Sequence, residues 1–139
     1  MAAEPMFVHC CHCSWCQRET GTAFALNAMV EASHVELLQG SPELIDTPTA
    51  SGGGQQIARC PTCRVAVWSH YSAAKQKVCF VRVGSLDDTS QIPPDIHIFT
   101  STKQPWVRLN DDAPVVPEFY RRAEVWSDES LSRYFAAIE

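Results

Sequence analysis

The sequence predicts a mainly β domain of antiparallel sheets, closed by one short C-terminal helix. Six short runs of β-forming residues, separated by turn chemistry, set the pattern of the first hundred positions. A stretch with five prolines follows, and helical periodicity appears clearly only after Ser127. With 139 residues and 45% hydrophobic content, residues 1–139 form a single domain that can bury a core without needing metal to stay compact.

The elements follow in order. Cys16 to Gly21 suggests one or two helical turns ended by a C-terminal glycine, with cysteines at the N-terminal end. The β-like runs are 23–30, 35–38, 43–46, 55–59, 66–70 and 78–83. Gly40-Ser41-Pro42 and Ser51-Gly52-Gly53-Gly54 interrupt them as turns, and neither break divides the chain into domains. Residues 92–117 hold Pro93, Pro94, Pro105, Pro114 and Pro117, and are expected to form an extended, turning segment packed over the sheets. After Ser127, a candidate N-cap, Leu131, Tyr134, Phe135 and Ile138 fall at helical spacing and mark a face that docks on the core.

A net charge of -5 gives no electrostatic footprint for nucleic acid, which needs clustered Lys and Arg. No apolar run approaches the roughly 20 residues that span a bilayer, and residues 1–9 lack the regions of a signal peptide. The expectation is a cytoplasmic protein without nucleic-acid or membrane partners. In a reducing compartment, close-spaced cysteines point to metal or catalysis in preference to disulfides.

Seven cysteines are present, and their order is informative. Cys11-His12-Cys13-Ser14-Trp15-Cys16 can turn three sulfurs towards one centre, and three thiolates leave one tetrahedral position of Zn²⁺ open for water or substrate. Cys60-Pro61-Thr62-Cys63 reads as half of a second zinc knuckle. Cys79, within an apolar run, reads as a small buried hydrophobe. A thiol–disulfide pair at Cys13 and Cys16 is the competing redox reading, but a β-rich chain lacks the β-α-β context of that motif.

These residues resemble the glutathione-dependent formaldehyde-activating enzyme (Gfa) family, also called centromere-protein-V-like. The resemblance spans residues 8–112 and rests on several separate stretches. They are the Cys11–Cys16 run with Thr20-Gly21 and Phe24, Cys60-Pro61-Thr62-Cys63 with Trp68, Gly84-Ser85-Leu86-Asp87-Asp88, and His97-Ile98-Phe99 leading to Pro105-Trp106. It implies an Mss4-like fold of several small coiled sheets around zinc. Cys11, Cys13 and Cys16 would hold a catalytic Zn²⁺, and Cys60 and Cys63 would supply half of a structural one.

Family members usually carry a C-x-C pair on an earlier strand, and none precedes Cys11 in this way, so the structural site lacks its other half. His9, Cys10 or another subunit are the substitute ligands to consider, and a homodimer is left open. Arg64 also stands where the family has glycine after the knuckle.

The resemblance implies carbon–sulfur lyase chemistry on glutathione or another small-thiol adduct, such as S-hydroxymethylglutathione. A three-thiolate zinc is a weak Lewis acid towards water but suits an incoming thiol, which the metal deprotonates. His97 and His12 are the candidate proton carriers, His97 also reading as a satisfied strand histidine. His70 and His34 read as structural or solvated. Lys103, Arg108 and Arg18 are candidate anchors for carboxylates, and Trp68 and Trp106 for pocket walls. Asp87-Asp88 reads as a turn. The alternative function is a non-catalytic zinc scaffold for a protein partner, which a fourth protein ligand at the first site would favour.

Overall fold

Strand residues pair edge to edge along most of the chain in a computed structural model that describes residues 1–139. In chain order the elements are β1 (Phe7–Cys11), α1 (Ser14–Thr20), β2 (Ala25–Glu31), β3 (Glu43–Thr47), β4 (Gln55–Arg59), β5 (Ala66–Tyr71), β6 (Val78–Arg82), β7 (Ile96–Ile98), α2 (Arg122–Val125) and α3 (Asp128–Ile138). The seven strands form one sheet in the order β3-β4-β5-β6-β2-β1-β7. Neighbours are antiparallel except β1 and β7, which run parallel. The domain is thus mainly β with a short C-terminal helix, consistent with the Mss4-like class, and its strands are joined in a single ladder.

Five of the six expected runs are strands. The sixth, 35–38, is not: a one-turn 3₁₀ helix at Ala32–His34 ends at Val35, and Leu37 and Leu38 are 52% and 86% exposed. No strand edge receives this run, so its apolar residues find no face to bury. Conversely, Phe7–Cys11 is a strand that the alternation rule misses. All five of its residues are buried, because β1 lies between β2 and β7 with both faces covered.

The proline-rich segment is extended as expected, and β7 lies within it. Its later part runs beside β7: the His97 N–H donates to the Pro114 carbonyl at 2.8 Å, the Val116 N–H to that of His97 at 3.0 Å, and the Phe99 N–H to that of Glu118 at 2.9 Å. Prolines supply acceptors here without needing to donate, which suits an edge.

Alternation along the strands divides the interior into two layers. One face carries Phe7, Cys11, Met29, Ile96 and Ile98 beneath Trp126 and Tyr134 of the C-terminal region. The other carries Val8, Ala28, Val30, Cys79 and Val81. Cys79 is 3% exposed, as its apolar neighbours predicted.

The Ser127 hydroxyl caps α3 by accepting from the Ser130 N–H at 3.1 Å. Leu131, Tyr134 and Ile138 face the core, while Phe135 lies at the rim, 54% exposed. Arg133 fastens the helix to the end of β2 through both oxygens of Glu31, at 2.8 and 2.7 Å. No helix is long and apolar enough to cross a membrane.

Candidate metal centre and cavity

The Cys11–Cys16 run folds as its spacing suggests. β1 delivers Cys11, the chain turns, and α1 starts two residues before the expected helix, with Cys13 as its N-cap. The Cys13 sulfur accepts from the Cys16 N–H at 3.3 Å, and Gly21, at φ 70°, closes the helix through an N–H bond to the Gln17 carbonyl. The sulfurs of Cys11, Cys13 and Cys16 all lie within 4.8 Å of one another, and all three residues are buried. No fourth protein donor belongs to this group.

Without a cation the three thiols share protons unevenly. Cys13 is pulled well below the ordinary thiol range by contacts from Cys11 and Cys16 and by the backbone N–H groups of Cys16 and Trp15. Cys11 is pushed far up by its contacts with Cys13 and Cys16 and by burial. At Cys16 the contact with Cys11 acts downwards, but Cys13 and burial outweigh it and raise the thiol to about 12. Three soft donors converging in this way, one already biased towards thiolate, fit a metal ion of zinc's type.

The trio opens on a cavity of about 340 Å³. Its walls are largely apolar and include Met29, Phe80, Ile98 and Phe99. Two polar groups in these walls have unusual surroundings. His9 is 4% exposed, and burial, reinforced by Arg122, lowers its pKa to about 3, so the ring is neutral. The Trp126 N–H donates to the Tyr120 oxygen at 2.6 Å, and the Tyr120 hydroxyl is hydrogen-bonded to His9 Nε2, also at 2.6 Å. Arg122 has no carboxylate partner; its guanidinium lies 4.5 Å from the Tyr134 ring centre, and its Nε is buried without a hydrogen bond.

Sequence reasoning missed both as cavity groups. The sequence marks His9 only as a substitute ligand, and Arg122 bears no motif. Only the packing of α2 against β1 brings them together.

His12 and His97 lie elsewhere. Neither lines the cavity; both are buried beside Cys10 on the opposite face of β1 from Cys11. Adjacent residues of a strand point to opposite faces, so Cys10 and Cys11 diverge and the histidines go with Cys10. Lys103, Arg108 and Arg18 are also absent from the cavity walls, as are Trp68 and Trp106. Lys103 Nζ is taken by the carbonyls of Gln104 and Val107. Trp106 is 68% exposed, and the Trp68 N–H donates to His70 Nε2 at 3.2 Å. His70 Nδ1 bonds the Val78 carbonyl at 2.9 Å, a structural role, while His34 sits near the surface, 3.4 Å from Glu31. Asp88 holds a turn through Ser90 and Gln91.

Cys60 and Cys63 occupy the turn between β4 and β5, half-buried and exposed respectively, and no third His, Cys or acidic group joins them in a cluster. Cys10 and His9 do not reach them, being engaged with His12 and Tyr120. The turn closes through bonds from the Arg64 N–H to the Cys60 carbonyl (2.9 Å) and from the Cys60 N–H to that of Val65 (3.0 Å). Arg64 adopts φ 65°, the left-handed conformation for which glycine is suited.

A mainly β sheet with a buried three-thiol cluster lining an apolar cavity defines a cysteine-centred class of domain whose sulfur group could hold a metal ion. The chain belongs to the glutathione-dependent formaldehyde-activating enzyme family, whose profile matches residues 1–102. No curated protein matches the chain. Among solved structures, that of a Rhodobacter sphaeroides protein is similar at 16% identity, covering 81% of this chain and 89% of that one with a TM-score of 0.46.

Proposed function

We propose that the chain is a zinc-dependent enzyme of carbon–sulfur lyase type that makes or breaks adducts of glutathione or another small thiol, such as S-hydroxymethylglutathione. The observation that carries this reading is the convergence of Cys11, Cys13 and Cys16 at the cavity, with no fourth protein donor. Zinc held by these three thiolates would lower the pKa of an incoming thiol and keep its sulfur beside the reacting carbon.

The remaining work falls to the protein. Met29, Phe80, Ile98 and Phe99 exclude water from the reacting atoms. His9 is kept neutral by burial, and a hydrogen bond received at Nε2 from Tyr120 would put its proton on Nδ1 as a donor for the oxygen of the adduct. When thiol adds to aldehyde, the C–S bond forms as the carbonyl π pair moves to oxygen, which takes up the proton that the thiol gave up to solvent, while His9 hydrogen-bonds the developing oxyanion; in reverse the hydroxyl proton leaves, the C=O bond re-forms and the C–S bond breaks to release the thiolate. Arg122, without an internal carboxylate partner, anchors a carboxylate of the peptide-like thiol.

The test is exchange spectroscopy of glutathione with ¹³C-labelled formaldehyde in the presence of zinc-loaded protein. Adduct formation is expected well above the uncatalysed rate, and Cys13→Ser should return it to background. His9→Gln should reduce the rate about 100-fold or more, whereas Arg122→Gln should act mainly on KM. Equal exchange with zinc-loaded protein and with buffer would refute the proposed activity.

A further inference from the structure

On the opposite face of β1 lies a second group of metal-capable side chains that thiol-adduct chemistry does not use. Cys10, His12 and His97 are 3%, 0% and 3% exposed, and one donor atom from each lies within 4.8 Å of the other two. The parallel β1–β7 ladder pairs Cys10 directly with His97, so both project to the same face. His12, just past the strand, is pinned by its backbone: its N–H donates to the Ile98 carbonyl at 3.0 Å, and its own carbonyl accepts from Gln17 and Thr102.

We propose that Cys10, His12 and His97 form a second site for a divalent transition metal of zinc's class, separate from the three-thiol cluster.

The spacing fits coordination. Around a tetrahedral ion with Zn–S of about 2.3 Å and Zn–N of about 2.0 Å, a sulfur and a nitrogen sit about 3.5 Å apart, and two nitrogens about 3.3 Å apart. Cys10 Sγ is 3.5 Å from His12 Nε2, and His12 Nε2 is 3.0 Å from His97 Nδ1. Asp111 accounts for the orientation of His97: its carboxylate oxygens lie 2.9 and 3.0 Å from Nε2. A proton on Nε2, donated to that carboxylate, leaves the Nδ1 lone pair facing the cluster, as in the carboxylate–histidine–metal arrangement.

Hydrogen bonding alone serves the group poorly. His12 Nε2 faces both a thiol and an imidazole nitrogen, and can donate to one or accept from the other, but not both. One cation satisfies all three donors.

Charge is also consistent. One thiolate and two neutral imidazoles leave a divalent ion with a single positive charge, which Asp111 offsets from its half-exposed position. A three-thiolate site across the strand carries the opposite sign, so two loaded sites would attract each other. The mixed sulfur and nitrogen set selects zinc or cobalt over hard cations such as magnesium or calcium.

Cobalt(II) binding to a chain carrying Cys13→Ser and Cys63→Ser provides the test, because these changes disable the other thiol clusters and the readout is independent of turnover. One equivalent of cobalt by native mass spectrometry is expected, with the visible bands of a tetrahedral ion and a near-ultraviolet thiolate charge-transfer band. Cys10→Ser should abolish that band. Asp111→Asn, on the exposed rim where folding is not at stake, should raise the cobalt Kd about 10- to 100-fold.

The proposal is overturned if the doubly substituted chain, folded by circular dichroism, binds no cobalt, if the band survives Cys10→Ser, or if Asp111→Asn leaves Kd unchanged.

Discussion

Cys13 performs two tasks at once, ending α1 as its N-cap and contributing a sulfur to the trio. Serine retains the cap, since its hydroxyl is a favoured N-terminal acceptor, but is a poor ligand for a soft metal. Cys13→Ser is therefore expected to leave the circular dichroism spectrum unchanged while lowering bound zinc measured by mass spectrometry. Glu31 gives a residue-scale expectation with a definite pH sign. Its hydrogen bonds from Arg133 hold its carboxyl at about 2, below the ordinary carboxylate range. A depressed folded pKa means that the contribution is complete above the unfolded value near 4.3 and fades as pH falls towards 2. Arg133→Ala should cost about 1 kcal/mol near neutrality, and urea titrations of the two proteins should converge in acid.

At the scale of elements, the turn between β4 and β5 retains a strained residue. Arg64 holds φ 65°, where an L side chain is disfavoured, although its guanidinium pairs with Glu43 across the adjacent β3–β4 ladder. That pair is largely solvent-exposed and contributes little. Relief of backbone strain should outweigh both its loss and the extra freedom glycine has when unfolded. Arg64→Gly is expected to stabilise the fold by about 0.5–1 kcal/mol, seen as a higher midpoint in denaturant titration; a lower midpoint would mean that the ion pair dominates. α3 presents a different case. It was legible because Ser127 and the Leu131, Tyr134, Ile138 stripe carry a cap signal and a period that survive in isolation. β1 was not legible, because a strand covered on both faces has no polar alternation to read.

Across the whole molecule, a metal bound at these sites would be coupled to the fold. A ligand that binds only the folded chain stabilises it by about 2.7 kcal/mol at a hundredfold excess over Kd. For a domain of this size that corresponds to about 5–10 °C in Tm, so chelation should lower Tm by this order, and Cys13→Ser should be less sensitive to chelator. An identical Tm with and without chelator would dissociate the thiol clusters from any resident ion. The three-thiol cluster was legible because its donors lie within six consecutive residues, where the β1–α1 junction alone can bring them together. The cavity was not: His9 and Arg122 are far apart in sequence and meet only when the C-terminal segment folds over the sheet.

The amino-acid order by itself determined the β-rich class, the local sulfur cluster, the capped final helix and the family resemblance, because each is carried by short runs of residues that are read without knowing which distant segments meet. Tertiary structure alone decided which side of β1 each group faces. Strand alternation sends Cys11 to the cavity and Cys10 to the histidines, and the parallel pairing with β7 adds His97 to that second group. That choice of face follows from which edges pair and which layers cover them, and those contacts join residues separated by most of the chain.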